Sequence, residues 1–302
     1  MAGESRGTAR TGVREQVRPS VTRAEEVVAN ASGENFPVAL RVLPQRYRRH
    51  LTNLYFFARL TDDLGDEARN STDDVTTLRL ALLDELAADV ARIYEGGTPS
   101  SPVMQAMAET VRDCHVPAQP LRDLIQANRQ DQLITRYRTF DELAQYCELS
   151  ANPVGQVVLY IFGAATPERL VLSDRICTAL QLAEHWQDVA EDLALGRIYL
   201  PAEDLERFAV TEADLAQPAA SENVTRLMRF EVDRAARLLD EGAPLVGTLR
   251  GAARLAVAGY LAGGRAALAA IRKQRYDVLS KQSRPAKPRM AAELARAYAR
   301  GR

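Results

Sequence analysis

Three features of this 302-residue sequence predict an all-α fold. Apolar residues recur at helical spacing over long segments, and no stretch sustains the period-two alternation of a strand. Ala and Leu are abundant while aromatic residues make up only 6% of the chain, the composition of a helical protein. Helix stop signals such as Gly96-Gly97-Thr98-Pro99 and Asn152-Pro153 divide the chain into helix-sized segments.

Residues 1–22 are rich in Ala, Gly, Arg, Ser and Thr and poor in large apolar groups, so they read as a disordered lead. A main domain over residues 23–280 follows, then a basic tail over 281–302. Short helices are expected at 23–31 and 36–43, on either side of Ser32-Gly33-Glu34-Asn35. Long helices are expected at about 45–67 and from Asp74 to Tyr94, and another at about 102–114. Pro120 suits the first position of a helix running to Arg136. Thr139 and Glu142 form a capping box for a helix that Asn152-Pro153 must kink before it resumes to Phe162. A helix from Pro167 should stop at Gly196, a C′ glycine. Residues 197–220 are a Pro-punctuated connection with a short helix after Thr211, and long helices are expected over 221–241 and 246–275. The tail has seven basic residues against one acid, Glu293, and its last helix carries a weak stripe of Met290, Leu294, Ala297 and Tyr298. That stripe suits either a solvated end or an anchor on anionic lipid.

Lys+Arg of 39 against Asp+Glu of 40 argues against nucleic acid as a partner. Cys114, Cys147 and Cys177 are too few and too scattered for a disulfide framework or a zinc site, which suits a reducing cytoplasm. The N-terminus has no apolar signal-peptide region, and the longest apolar run, 157–165, is too short to cross a bilayer. Membrane contact, where it occurs, is expected to be peripheral.

The chemistry lies in two helices that carry acids where core residues belong. In 181–201, QLAEHWQDVAEDLALGRIYLP, Gln181, Glu184, Asp188 and Asp192 fall at offsets 0, 3, 7 and 11, on one helix face. Like charges at this spacing repel by roughly 0.2–0.5 kcal/mol per pair, so packing alone does not explain them and a cation is expected to face them. In the helix over 45–67, Tyr55, Arg59, Asp62 and Asp66 sit at offsets 0, 4, 7 and 11, again among apolar neighbours. Carboxylates one turn apart on two helices can share Mg²⁺ ions, which prefer oxygen ligands and bridge to phosphate oxygens. Such a cluster turns a diphosphate into a leaving group. A carboxylate-bridged di-iron site needs Glu-x-x-His pairs, and the sequence has none.

These motifs resemble those of the head-to-head prenyl synthases, the family of squalene, phytoene and dehydrosqualene synthases, from about Ser32 to Asp277. Tyr55-x-x-x-Arg59-x-x-Asp62-Asp63-x-x-Asp66 matches the first aspartate-rich motif. Gln181-Leu182, Asp188-x-x-Glu191-Asp192 and Gly196-Arg197-x-Tyr199-Leu200-Pro201 match the second. Tyr137-x-Thr139-Phe140-x-Glu142-Leu143-x-x-Tyr146-Cys147 matches the segment between them. Glu34-Asn35-Phe36-Pro37-Val38-Ala39, Ser150-Ala151-Asn152-Pro153-Val154-Gly155 and His185-Trp186-Gln187-Asp188-Val189 are most similar to the hopanoid-pathway branch, the hydroxysqualene synthases.

The resemblance implies an isoprenoid-synthase helical bundle around an apolar cavity. It also implies an enzyme, a carbon–oxygen lyase, that ionises presqualene diphosphate, rearranges the cation and captures it with water. Mg²⁺, or Mn²⁺ in its place, is the implied cofactor, no nicotinamide is expected, and other hopanoid-pathway enzymes are the implied partners. Asp62, Asp63, Asp66, Glu184, Asp188, Glu191 and Asp192 are the candidate metal ligands. Tyr55, Asn152, Gln181 and His185 are the candidate catalytic residues. Asn35, Phe36, Arg59, Gln187, Arg197 and Tyr199 are the candidate substrate contacts.

Two departures bear on the branch. The family commonly has Asn-x-x-Arg-Asp where this chain has Glu184-His185-Trp186-Gln187-Asp188, and Glu34 replaces a usual Lys. Condensing two farnesyl diphosphates means holding two polyanions, which losing two cations should hinder. An enzyme that handles one diphosphate tolerates the loss. The rival readings are the condensation itself, giving presqualene diphosphate or phytoene, and a non-catalytic helical lipid-binding protein.

Overall fold

Leu51, Leu54 and Phe57 repeat at helical spacing and are fully buried, and they seat the first helix of the bundle. A computed structural model of the chain describes residues 43–66, 73–282 and 287–300. The expected lead and the short helices before residue 43, with Asn35 and Phe36, lie outside the described residues.

The helices in order are α1 (Gln45–Asp66), α2 (Asp73–Tyr94), α3 (Pro102–Cys114), α4 (Ala118–Asp131), α5 (Phe140–Ser150) and α6 (Asn152–Ile161). Then come α7 (Pro167–Gln187), α8 (Val189–Ala194), α9 (Ala202–Arg207), α10 (Glu212–Leu215), α11 (Glu222–Gly242), α12 (Leu245–Thr248), α13 (Gly251–Lys273) and α14 (Lys287–Arg300). No strand occurs among the described residues, whose β-pairing is a single parallel bridge between Arg136 and Ile198.

Side chains set several of the boundaries. Ser101, Thr166 and Ser221 accept a hydrogen bond from the backbone N–H three residues on, which starts α3, α7 and α11. Thr139 caps α5 in the same way, but Glu142 reaches the Arg138 N–H at 2.7 Å rather than closing a reciprocal box. Thr211 and Asp214 make the full reciprocal box at α10. Gly196 has φ of +79°, as a C′ glycine should.

Three expectations are corrected. The helix expected from Pro120 to Arg136 begins at Ala118 and ends at Asp131. The residues beyond it are drawn off by a neighbouring loop, with Ile198 N–H on Thr135 C=O at 3.0 Å and Ala202 N–H on Tyr137 C=O at 2.9 Å. The helix expected from Pro167 to Gly196 is broken at Asp188, whose φ of −109° and ψ of 14° separate α7 from α8. The helix expected over 246–275 starts at Gly251, because Leu249 and Arg250 are extended after α12.

Two apolar clusters fill the bundle. One joins α1 to α4 with α6 and includes Phe57, Leu121, Ile125 and Val157. The other surrounds α7, with Leu182 and Trp186 against α11 and α13. The helix α6 packs against both α1 and α7 and so links the two halves. At its contact with α7, a Cβ on Gly155 would lie 2.5 Å from Ser173 Oγ and still closer to Cys177 Sγ. Beside the second cluster, Arg234 on α11 bonds Asp204 at 2.8 Å and both oxygens of Glu231 at 3.0 Å, which pins α9 to α11.

In the tail, Ala297 is buried, Leu294 and Tyr298 lie against the core around α13, and Met290 is exposed. No helix among the described residues is long and apolar enough to cross a membrane.

The Gly155 contact is testable. Gly155→Ala should destabilise the protein by about 1–3 kcal/mol, because the Ser173 and Cys177 side chains packed there, or the helix that carries them, must shift to admit a methyl group. Chemical denaturation measures this, and a midpoint equal to wild type would refute it.

Candidate active site

The end of α7 concentrates negative charge in a partly buried setting. Burial first, then the neighbouring Asp188 carboxylate, raises Asp192 to a pKa of about 7. Glu184 and Glu191 add to the same field and Arg197 opposes it. Glu184 and Glu191 are exposed, and Gln181, Asp188 and Asp192 are half-buried. Asp188 accepts a 2.7 Å hydrogen bond from the Gln282 side chain, which arrives from beyond the end of α13. The turn leading there is tied by Asp277, which accepts from the backbone N–H groups of Ala220, Leu279 and Ser280.

Inward from these acids lies a layer of rings. His185 is buried and stacks on Tyr199 with centroids 3.6 Å apart and planes 13° apart. Tyr146 and Tyr137 continue the layer. His185 Nε2 is 3.2 Å from Gln181 Nε2, and its Nδ1 is 3.9 Å from Asp192 Oδ2. Burial, helped by the Arg197 charge, pushes the imidazole down to a pKa of about 3, so the ring is neutral. The Tyr146 hydroxyl donates to Asp131 at 2.9 Å. Burial, then the Asp131 charge, raises the Tyr137, Tyr146 and Tyr199 phenols, which stay protonated. A cavity with room for about one water molecule lies among His185, Val189, Asp192, Tyr199 and Leu215.

The first acidic motif is placed by α1. Asp62 and Arg59 are exposed, and Tyr55 and Asp63 are half-buried. Arg59 pairs with Asp63 at 2.8 Å, one helical turn on. Asp62 accepts a 3.2 Å hydrogen bond from Asn128 on α4. Asp66 is the last residue of α1, and its side chain is outside the described residues.

Asn152 does not face open space. It is buried and accepts from the Thr178 hydroxyl at 3.0 Å, joining the start of α6 to α7. Gln187 is buried at the last position of α7. Arg197 is half-buried beside Asp192, and its backbone N–H bonds the Asp192 carbonyl at 2.9 Å.

Reading the sequence singled out neither Asn128, Asp131 nor Gln282, and it used Tyr137 and Tyr146 only as markers of a matching segment. Tyr137 and Tyr146 stand in a motif and were within reach. The other three touch residues far away in the chain, and no local pattern marks them.

Among the described residues no three His, Cys, Asp or Glu side chains gather closely enough to hold a metal ion by themselves. The donor set nonetheless suits a hard cation shared with phosphate. It consists of carboxylates, and burial together with the neighbouring acids raises Asp192, which a hard cation would offset.

An all-helical bundle with one acidic motif on an early helix and a second at the end of a central helix is the arrangement of the helical isoprenoid synthases. The model of the squalene/phytoene synthase family matches residues 29–291, and the chain belongs to that family of prenyl-transferring synthases. It is 32% identical to the hydroxysqualene synthase of Rhodopseudomonas palustris over 218 residues, 72% of each protein. It is also 32% identical to the phytoene synthase of Arthrospira platensis over 266 residues, 83% of each. Among solved structures, the squalene synthase HpnC of Alicyclobacillus acidocaldarius is 42% identical, covers 86% of this chain and 98% of its own, and superposes with a TM-score of 0.73.

The neutral imidazole gives a pH prediction. The unfolded chain takes up the His185 proton near pH 6.5 and the native state only near 3, so this group's stabilisation is complete above about 6.5 and is lost as pH falls toward 3. By NMR, the His185 ring should stay neutral down to about pH 4. A titration near 6.5 would contradict the burial described.

Proposed function

We propose that this protein converts presqualene diphosphate to hydroxysqualene. The observation that carries the reading is the charge balance of the assigned site. Seven acids, Asp62, Asp63, Asp66, Glu184, Asp188, Glu191 and Asp192, stand against two arginines, Arg59 and Arg197, with neutral Gln187 buried at the end of α7. Among these assigned residues cations are few, which suits one metal-chelated diphosphate better than two. The 42% identity to a squalene synthase and the hydroxysqualene synthases among the relatives support the same branch.

The two carboxylate groups would hold Mg²⁺ against the diphosphate, and Arg59 and Arg197 would contact its remaining oxygens. When bound, the metal neutralises charge on the leaving group as the carbon–oxygen bond breaks. The electron pair of that bond leaves with the diphosphate, and the carbocation rearranges without redox change. Water then adds its oxygen to the cation and gives up one proton, so no reductant is consumed. The stacked layer of His185, Tyr199, Tyr146 and Tyr137 would present π-faces and neutral polar groups near the site, which favour a cation without trapping it as a nucleophile would. Gln181 and neutral His185 would hold water close to Asp192.

A second reading, condensation of two prenyl diphosphates, has its own support in the phytoene synthase of Arthrospira platensis, which matches more of the chain than the hydroxysqualene synthase of Rhodopseudomonas palustris at the same identity.

Purified protein with Mg²⁺ should convert presqualene diphosphate to hydroxysqualene, with the same product whether or not NADPH is present. Asp62→Asn together with Asp188→Asn should abolish diphosphate release. Consumption of farnesyl diphosphate alone would favour condensation, and squalene as product would end the cofactor-free mechanism. Full activity in the double variant would remove these aspartates from the mechanism, and no turnover of either substrate by the wild-type protein would point to the non-catalytic alternative.

A further inference from the structure

We infer that Asn128 is a positioning residue for the Asp62 carboxylate, and that position 65 is glycine so that Asn128 can reach it. The inference rests on the proposed role of Asp62 in holding a metal-chelated diphosphate.

Asp62 lies on the exposed side of α1, and a surface aspartate has several staggered rotamers open to it unless a partner selects one. Asn128 comes from α4, is 8% exposed, and directs one Nδ2 hydrogen at Asp62 Oδ1 across 3.2 Å. Its other bond, from Nδ2 to the Leu124 carbonyl one turn back, is also 3.2 Å and holds the amide in place. A carboxylate oxygen bound in this way is fixed in direction. The donor is neutral, so it orients the acid without cancelling its charge. Lysine or arginine here would compete with a cation for Asp62.

The backbone opposite has been cleared for this contact. A Cβ on Gly65 would overlap Asn128 Oδ1 and sit 3.3 Å from its Cγ. Gly65 does not have a positive φ, so room rather than backbone freedom is what the glycine supplies. Glycine inside a helix is otherwise unfavourable. Gln132 Nε2 donates to the Gly65 carbonyl at 3.0 Å and to the Asn128 carbonyl at 3.1 Å, and Arg79 on α2 holds the Gln132 side-chain oxygen at 3.0 Å. Three helices therefore set the height at which Asn128 meets α1. Neutral, buried and framed, Asn128 gives Asp62 a preset orientation.

The test uses the full chain, with calorimetric binding of Mg²⁺ plus inorganic pyrophosphate and the Mg²⁺ dependence of diphosphate release as parallel readouts. Asn128→Leu should weaken pyrophosphate binding by about ten-fold, the scale of a lost hydrogen bond to a charged group, and should raise the Mg²⁺ requirement equally. Asn128→Asp, which is isosteric but lacks the N–H, should lose at least as much. Gly65→Ala should reproduce the loss with Asn128 intact, and combining it with Asn128→Leu should add nothing further. A purely structural Asn128 would lower the melting temperature and leave the Mg²⁺ requirement unmoved. Wild-type binding in both Asn128 variants, with binding lost in Asp62→Asn, would overturn the inference and leave the proposed function standing. Wild-type binding in Asp62→Asn would overturn both.

Discussion

Mutual repulsion among Asp188, Asp192, Glu184 and Glu191 is the constraint to which the neighbouring structure answers. Acids this close within a partly buried corner do not coexist at low cost, and the rise of Asp192 to about 7 records that. The protein does not relieve the repulsion with a ring of lysines. It brings in Arg197, a neutral amide at Asp188 and a neutral imidazole beside Asp192, and it breaks the helix at Asp188. The charge is managed and largely kept. On the proposed function, the remaining counter-charge arrives with the metal-chelated diphosphate.

The same economy governs the first motif. Arg59 is engaged with Asp63, and Asp62 is steered by a carboxamide. Asp62 and Asp188 each accept from an uncharged amide, Asn128 on α4 for one and Gln282, beyond the end of α13, for the other. Related bundles superpose well with this one across the family, so differences in chemistry within it must lie in local residues of this sort.

The sequence made the helical class legible because Leu, Ala and Phe repeat with helical period and because hydroxyl caps precede the helices. It also made the two acidic motifs legible, since acids on apolar helices violate the rule that packing follows. The break at Asp188 was hidden, because neither Pro nor Gly marks it. So was the early end of α4, where residues after Asp131 prefer to pair with the 196–203 loop. The contacts of Asn128, Asp131 and Gln282 were hidden for a different reason. Their partners lie 66, 15 and 94 residues away, and the amides of Asn128 and Gln282 leave no periodic trace.

The bond between Gln282 and Asp188 also bears on the order in which the molecule is built. Synthesis proceeds from the N-terminus at roughly 5–20 residues per second, so Asp188 is made on the order of 5–20 s before its partner 94 residues later. The core around α7 has its apolar partners from α11 and α13 before Gln282 is made. The acidic corner therefore completes late, with only α14 of the described bundle still to be made, and a chain still being translated lacks the bond from Gln282 to Asp188.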